Sequence, residues 1–305
     1  MTIAYITHPD CALHETGHGH PENPARLGAI HDRLLASGLE AVLYHHHAPL
    51  VDREHLCRVH DPAYVDYIFS HSPREGLLWL DQDTCMNPQT LAAARRAAGA
   101  VVQGVELVMS GRATSAFCSV RPPGHHAGRR QAMGFCLFNN IAVGAAHALQ
   151  SCGLQRVAIV DFDAHHGNGT EEIFHDTPGV LMCSTFQHPF FPDTGCETVP
   201  GHIINAPLPA GSDGGAFRAA VESAWLPALA DFQPELVMIS AGFDAHIEDD
   251  MTGLCLVDGD FAWVTRQIRA VAETSAQGRV VSVLEGGYAP AALGRSVAAH
   301  LNALL

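Results

Sequence analysis

The sequence predicts an α/β fold: one domain over residues 1–305, built on a parallel β-sheet with helices on both faces. Three observations predict it. Short β-branched runs alternate with longer Ala/Leu-rich segments along the chain. Polar, glycine-bearing loops follow three of those runs directly. No internal repeat, low-complexity tract or linker breaks the pattern. Of the 305 residues 47% are hydrophobic and 16% charged, the balance of a folded globular chain. A core of this size needs no disulfide or metal to hold it.

Ile3 to Thr7 reads as the first strand. Asn23-Pro24 opens a helix through Leu35, with Asn as the cap and Pro in the first turn. Asp61-Pro62 opens another through about residue 69. Asn87-Pro88 opens a long one that ends near Gly111. Its apolar stretch from Leu91 to Met109 is broken by Arg95, Arg96, Gln103 and Glu106, so it reads as a buried helix and not a membrane span. Asn139 to Leu149 is a further helix. Val157–Val160, Val180–Thr185, Leu236–Ser240 and Val280–Leu284 read as buried strands. Helices are expected over 214–231 and 259–275 and from Pro290 to Leu305. His45-His46-His47 reads as surface loop.

The formal charge is −15, from 17 basic and 32 acidic residues. That opposes binding to a phosphate backbone, which needs a basic face, and leaves cationic peptides or amines as partners. The nine cysteines include no C-x-x-C pair, so a disulfide scaffold is not expected. The first residues carry no basic stretch followed by an apolar core. A cytoplasmic enzyme without membrane or nucleic-acid partners is the expectation; a homo-oligomer is left open.

Ligands of open α/β sheets sit at the carboxyl ends of the strands. Three predicted strands run into Asp161-Phe162-Asp163-Ala164-His165-His166-Gly167-Asn168-Gly169, into Ser240-Ala241-Gly242-Phe243-Asp244-Ala245-His246, and into Glu285-Gly286-Gly287-Tyr288. If these strands are parallel neighbours, the loops converge on one edge. Asp163 and His165 stand two apart, so an extended backbone aims both to one side. Asp244 is the natural third ligand of a catalytic zinc, which takes three protein ligands and keeps a place for water. The plainer reading, in which Asp163 caps a helix and His165 is a satisfied polar residue, weakens once Asp244 joins them. Arg121-Pro122-Pro123-Gly124-His125-His126-Ala127 sets two imidazoles on a rigid turn, which suits acid–base work. Tyr288 follows two glycines, where a phenol can reach back to an oxyanion.

RPPGHHA, GFCLFNN (Gly134 to Asn140), DFDAHHGNGT, AGFDAH and EGGY, in that order, resemble the zinc-dependent histone deacetylase family and its arginase–deacetylase fold. The family's relatives include acetoin-utilization proteins and acetylpolyamine amidohydrolases. The resemblance runs from His20-Pro21-Glu22-Asn23-Pro24 to Tyr288. HPENPxR together with Asn168 resembles the class II branch and its bacterial relatives more than class I. The resemblance implies zinc on Asp163, His165 and Asp244. His125 and His126 would flank the attacking water, oriented by Asp161 and Asn168, with His126 as base and acid. Tyr288 would polarise the scissile carbonyl. Phe135 and Phe191 would wall a narrow tunnel, Gly134 would leave room beside it, and Met251 would stand at its rim. A structural potassium would use Asp161, Asp163, His165, Ser184 and Thr185; a second would use carbonyls of Phe174, Thr177 and Val180.

The implied activity is removal of acetyl or other short acyl groups from the ε-amine of lysine in peptides or proteins. A deacetylase of acetylated polyamines uses the same chemistry, and Glu15, Glu22, Glu248, Asp249 and Asp250 keep it in view. A catalytically silent metal-binding module is the reading from another class, and the complete residue set opposes it. Glu248-Asp249-Asp250-Met251 departs from the family's usual Gly-Asp-Pro stretch, which puts the rim geometry in question. The loop Leu78 to Met86 offers Asp81 or Asp83 to grip a substrate backbone, and His18 and His20 stand as mouth or plain loop residues.

Overall fold

The computed structural model describes residues 2–305. In chain order, β1 (Ile3–Thr7) leads to α1 (Ala25–Ser37), β2 (Leu43–His47), α2 (Arg53–Leu56) and α3 (Pro62–Ser70). A small hairpin, β3 (Leu78–Trp79) and β4 (Cys85–Met86), precedes the long α4 (Thr90–Met109). Then come β5 (Ser115–Cys118), α5 (Asn140–Gln150), β6 (Val157–Asp161), α6 (Asn168–Phe174), β7 (Val180–Gln187) and β8 (Ile203–Leu208). The chain ends with α7 (Gly214–Ala220), α8 (Leu226–Phe232), β9 (Leu236–Ala241), α9 (Asp258–Ser275), β10 (Val280–Leu284) and α10 (Pro290–Leu304).

Eight strands form one parallel sheet in the order β2-β1-β5-β10-β9-β6-β7-β8. The predicted fold class is the one observed. Side chains alternate between two cores, as period-2 strands require. From β1, Ala4 and Ile6 join the core under α4 and α5, while Ile3 and Tyr5 join the one under α1, α9 and α10. Parallel strands covered on both faces read as continuous apolar runs. That is why β6, β7, β9 and β10 were legible.

The differences have local causes. The His45–His47 segment is not loop but the outer strand β2, pairing only with β1, so its outward residues carry no apolar signal. The edge strand β8 is likewise mixed, with Asn205 and Pro207 inside it. The long helix begins at Thr90, not at Asn87: the Asn87 N–H donates to Thr90 Oγ1 at 2.8 Å and the Thr90 hydroxyl returns a bond to Asn87 Oδ1 at 2.8 Å. These bonds close a separate turn ahead of the helix. The helix expected over 214–231 is interrupted by a π-turn over Val221–Trp225, just before Pro227, which has no N–H to offer the ladder. Among the described residues no helix is long and apolar enough to cross a membrane.

β10, β9 and β6 are neighbours, so the three polar loops do leave one edge side by side. Behind them His300 is fully buried. Its Nδ1–H donates to Thr265 Oγ1 at 2.7 Å, and Ser282 Oγ lies 3.0 Å from Nε2. This neutral ring is satisfied, and burial holds its pKa down at about 3. The folded protein therefore refuses a proton that the unfolded chain accepts below about pH 6.5. The contribution is complete above that pH and shrinks as pH falls towards 3. Urea unfolding followed from pH 7 to pH 4 should show stability falling. His300→Gln should flatten that slope by about one proton, ~1.4 kcal/mol per pH unit; an unchanged slope would contradict it.

Candidate active site

Asp163 and His165 follow β6, and Asp244 follows β9. Each of the three offers a ligand atom within 4.8 Å of the others, and all are buried. His165 Nδ1 lies 3.1 Å from Asp163 Oδ1 and 3.0 Å from Asp244 Oδ2. Backbone donors fix the carboxylates: the Gly286 N–H donates to Asp163 Oδ2 at 2.8 Å, and the Ala164 N–H to Asp244 Oδ1 at 2.9 Å. A Cβ on Gly286 would stand 2.2 Å from Asp244 Oδ2, so only glycine lets that strand end come so close.

Burial, and then the charge on Asp163, raise Asp244 to about 6. Burial alone would lower His165, but Asp163 and Asp244 outweigh it and lift the imidazole to about 10. Two buried carboxylates and an imidazole thus converge with no arginine between them. Carboxylate oxygen and imidazole nitrogen are donors that zinc accepts, so the set fits a divalent cation.

The tandem histidines sit beside this group. Their loop is held from below by Glu285, whose Oε2 accepts the N–H groups of Gly124 at 2.7 Å and His125 at 3.1 Å. Burial raises the Glu285 carboxyl to about 7. His125 Nδ1–H donates to Asp161 Oδ2 at 3.0 Å, and His126 Nδ1–H to Asn168 Oδ1 at 2.8 Å. The two rings then differ sharply. Burial would lower His125, but Asp163 and Asp161 lift it to about 10. Burial, reinforced by His125 and His165, pushes His126 well below the usual imidazole range. The carboxylates around His125, and burial with positive neighbours around His126, thus give adjacent imidazoles opposite protonation.

A cavity of about 150 Å³ leads outward from this floor. His126, His165, Gly134, Phe135, Phe190, Phe191, Asp83, Met251 and Tyr288 line it. The ring of Phe191 meets His126 edge-on at 5.4 Å, and Phe135 meets Tyr288 edge-on at 5.9 Å. Phe135 has a left-handed backbone, φ 69°, and its N–H donates to Thr84 Oγ1 at 3.0 Å. Such strain in a bulky residue persists only when its surroundings impose it. Arg26 lies over the Tyr288 ring at 4.9 Å. A wider cavity of about 960 Å³ adjoins the mouth through Met251 and Tyr288 and takes in Glu15, His18, His20 and Asp250.

The histone deacetylase domain matches residues 20–304. The chain belongs to the histone deacetylase family. It is an amide hydrolase of that family, a deacetylase. It is 38% identical over 280 residues to the histone deacetylase-like amidohydrolase of Pseudomonas aeruginosa, covering 90% of this chain and 73% of that one. It is 38% identical over 314 residues to the polyamine deacetylase HDAC10 of Mus musculus, covering 97% of this chain and 45% of that one. The crystal structure of the HDA15 HD domain superposes with a TM-score of 0.94 at 33% identity, covering 99% of this chain and 88% of that one. The family uses zinc, consistent with the buried Asp-His-Asp group.

In this deacetylase the expected residues come together: Asp163, His165 and Asp244, His125 with Asp161, His126 with Asn168, and Tyr288 among the aromatic walls. Asp81 is spent inside its own turn, accepting the N–H groups of Asp83 and Thr84, while Asp83 faces the cavity. Sequence reasoning missed Phe190, although the Phe-Phe doublet was visible. It also missed His60, which joins Gly128 O to the Asn139 N–H and so ties the tandem-histidine loop to the start of α5; a lone His outside any motif gives no signal.

Gly134 has φ +54°, and a Cβ there would stand 2.5 Å from His126 Cδ2. Gly134→Ala should displace that ring and lower kcat by at least roughly tenfold, with a melting temperature within a few degrees of wild type. Full activity in the variant would show that the ring has room to yield.

Proposed function

We propose that the protein removes acetyl or other short acyl groups from the ε-amine of lysine in peptides or proteins. The observation that carries this is the narrow aromatic cavity that ends on His126 and His165, with Asp163 and Asp244 against His165. It admits a flat amide on a slender aliphatic stem and excludes a bulky group. Asp163, His165 and Asp244 would hold zinc. Zinc there would supply Lewis acidity to the carbonyl and to the attacking water.

The remaining work belongs to side chains. His126, neutral and exposed to the cavity, takes a proton from the water as its oxygen attacks the carbonyl carbon. His125, kept charged by Asp163 and Asp161, stabilises the negative charge that develops nearby. The Tyr288 hydroxyl donates to the carbonyl oxygen. The C–N bond then breaks, and His126 returns its proton to the leaving amine, giving a carboxylic acid and a free amine. Asp83 at the rim is suited to accept an N–H from a peptide backbone.

Potassium is proposed beside this site, on Asp161, Asp163, His165, Ser184 and Thr185. Ser184 stands opposite Asp161 across β6 and β7, and its buried Oγ has no hydrogen-bond partner. A second potassium on the carbonyls of Phe174, Thr177 and Val180 would cap the turn between α6 and β7.

Deacetylation of polyamines is the second reading. The likeness to a relative named polyamine deacetylase favours it, as do Glu15 and Asp250 in the outer cavity. The other acids give it little. Glu22 is buried against Arg26 and Arg121, Glu248 pairs with Arg295 at 2.6 Å, and Asp249 is buried. Apolar Met251 at the rim favours the peptide.

Steady-state kinetics on an acetyl-lysine peptide and on N-acetylputrescine should give the higher kcat/KM for the peptide; a large preference for the amine would reverse the assignment. Chelation should abolish turnover and added zinc restore it. Tyr288→Phe should lower kcat by roughly 10²-fold. Activity that survives either change would contradict the mechanism, and no turnover of any acylated amine would favour the silent module.

A further inference from the structure

Tyr288 sits on a segment with little of its own to hold it. Residues 285–289 link β10 to α10 without regular structure, and two glycines precede the tyrosine, Gly287 at φ 120°. Among the hydrogen bonds of the described residues, none is made by the Tyr288 hydroxyl. The direction of the ring is therefore set by its contacts with Arg26 and Phe135 and by the backbone that carries it.

Asp249 grips that backbone. Its Oδ2 accepts the Tyr288 N–H at 2.6 Å and the Ala289 N–H at 3.0 Å. Its Oδ1 accepts the Met251 N–H at 3.1 Å, and its own N–H donates to His246 O at 2.8 Å. Asp249 is 5% exposed. Its neighbours in the acidic run turn elsewhere: Glu248 pairs with Arg295, and Asp250 lines the outer cavity. One carboxylate thus fastens the loop that starts at Asp244 and ends at Met251 to the segment that carries Tyr288. Hydrogen bonds to an ionised acceptor are about twice as strong as neutral ones. Arg26 completes the frame, donating to the carbonyls of Gly287 and Glu285.

We propose that Asp249 is a positioning residue for the reaction: its carboxylate clasps the Tyr288 and Ala289 amides and so aims the tyrosine hydroxyl at the carbonyl oxygen. The inference rests on the hydrolytic role proposed above for Tyr288. Misplacing a reacting group by about 1 Å can cost roughly 10²-fold in rate.

The test is a double-mutant cycle on the zinc-loaded protein, with an acetyl-lysine peptide as substrate. Wild type, Asp249→Ala, Tyr288→Phe and the double variant are compared for kcat, KM, zinc content and melting temperature. Asp249→Ala is expected to lower kcat by roughly 10- to 100-fold with full zinc. In the Tyr288→Phe background the same change should cost no more than about threefold, because the hydroxyl it aims is already gone. Asp249→Asn keeps one carbonyl acceptor and should recover part of kcat; it replaces the alanine variant in the cycle if that variant does not fold.

An equal fold-loss in both backgrounds, an unchanged kcat, or a loss in proportion to lost zinc would overturn the positioning role. Full activity in Tyr288→Phe alone would instead overturn the role of the tyrosine.

Discussion

Burying Asp163 and Asp244 side by side at the ends of adjacent strands is the constraint that organises this molecule. Like charges in a water-poor site are costly unless paired or bound to a cation. Here the burden is larger, because Asp161 and Glu285 are buried at the same edge of the sheet. The fold answers with three kinds of partner. Imidazoles at 125 and 165 face the aspartates. Backbone N–H groups of Gly124, His125, Ala164 and Gly286 point at Glu285, Asp244 and Asp163. The zinc proposed on Asp163, His165 and Asp244 would be the third. This accounts for glycine at 167, 242 and 286, where a Cβ would stand 2.4 Å from Asp161 Oδ2, 2.0 Å from Asp163 Oδ2 and 2.2 Å from Asp244 Oδ2.

A second ionic group lies behind the first and ties the early part of the chain to it. Glu22 is buried between Arg26 and Arg121, with His14 Nε2 3.4 Å away. Arg121 immediately precedes the prolines of the tandem-histidine loop. Arg26 reaches the carbonyls of Glu285 and Gly287 and stacks on Tyr288. A buried ion pair is weak evidence of stability, since a packed apolar substitute often does as well. Its value here lies in register: one glutamate sets the helix carrying Arg26, the loop carrying His125 and His126, and the segment carrying Tyr288 at fixed separations. The HPENPxR stretch therefore bears on the site although its one carboxylate, Glu22, does not line the inner cavity.

The readable parts of the sequence were those where physics acts over short range. Strands covered on both faces announced themselves as apolar runs, and Asp61-Pro62 was visible as a helix start because the Asp61 side chain accepts the Ala63 N–H, whereas the cap expected at Asn23 falls on Pro24. The Asp163–His165–Asp244 group was visible because D-x-H in an extended segment has fixed geometry and Asp244 stood at a matching strand end. Long-range partnerships were not visible. Glu285 was noticed as a strand end, but nothing local shows that it holds the backbone of residues 124 and 125. Asp249 looked like one of three surface acids, and only the meeting of two loops separates it from Glu248 and Asp250. Edge strands failed for a related reason: β2 and β8 each have one partner, so their composition is set by solvent as much as by pairing.

The same sorting changes what the net charge of −15 means. Among the 32 acids that produce it, Glu22, Asp161, Asp163, Asp244, Asp249 and Glu285 are all buried and committed to histidine, arginine or backbone donors. Charge counted over the whole chain therefore overstates what a substrate meets at the mouth. Of the acids considered for gripping a cationic tail, Glu15 and Asp250 line the outer cavity. A unit charge pair in water at 4 Å is worth about 1 kcal/mol, so each could favour a distal ammonium by roughly fivefold. Attraction of that size, distant from the reacting carbonyl, acts on binding of substrate and transition state alike. Choice between a peptide and a polyamine would then fall on the rim, which Met251 and Asp83 line, and on how much of the wider cavity each substrate fills.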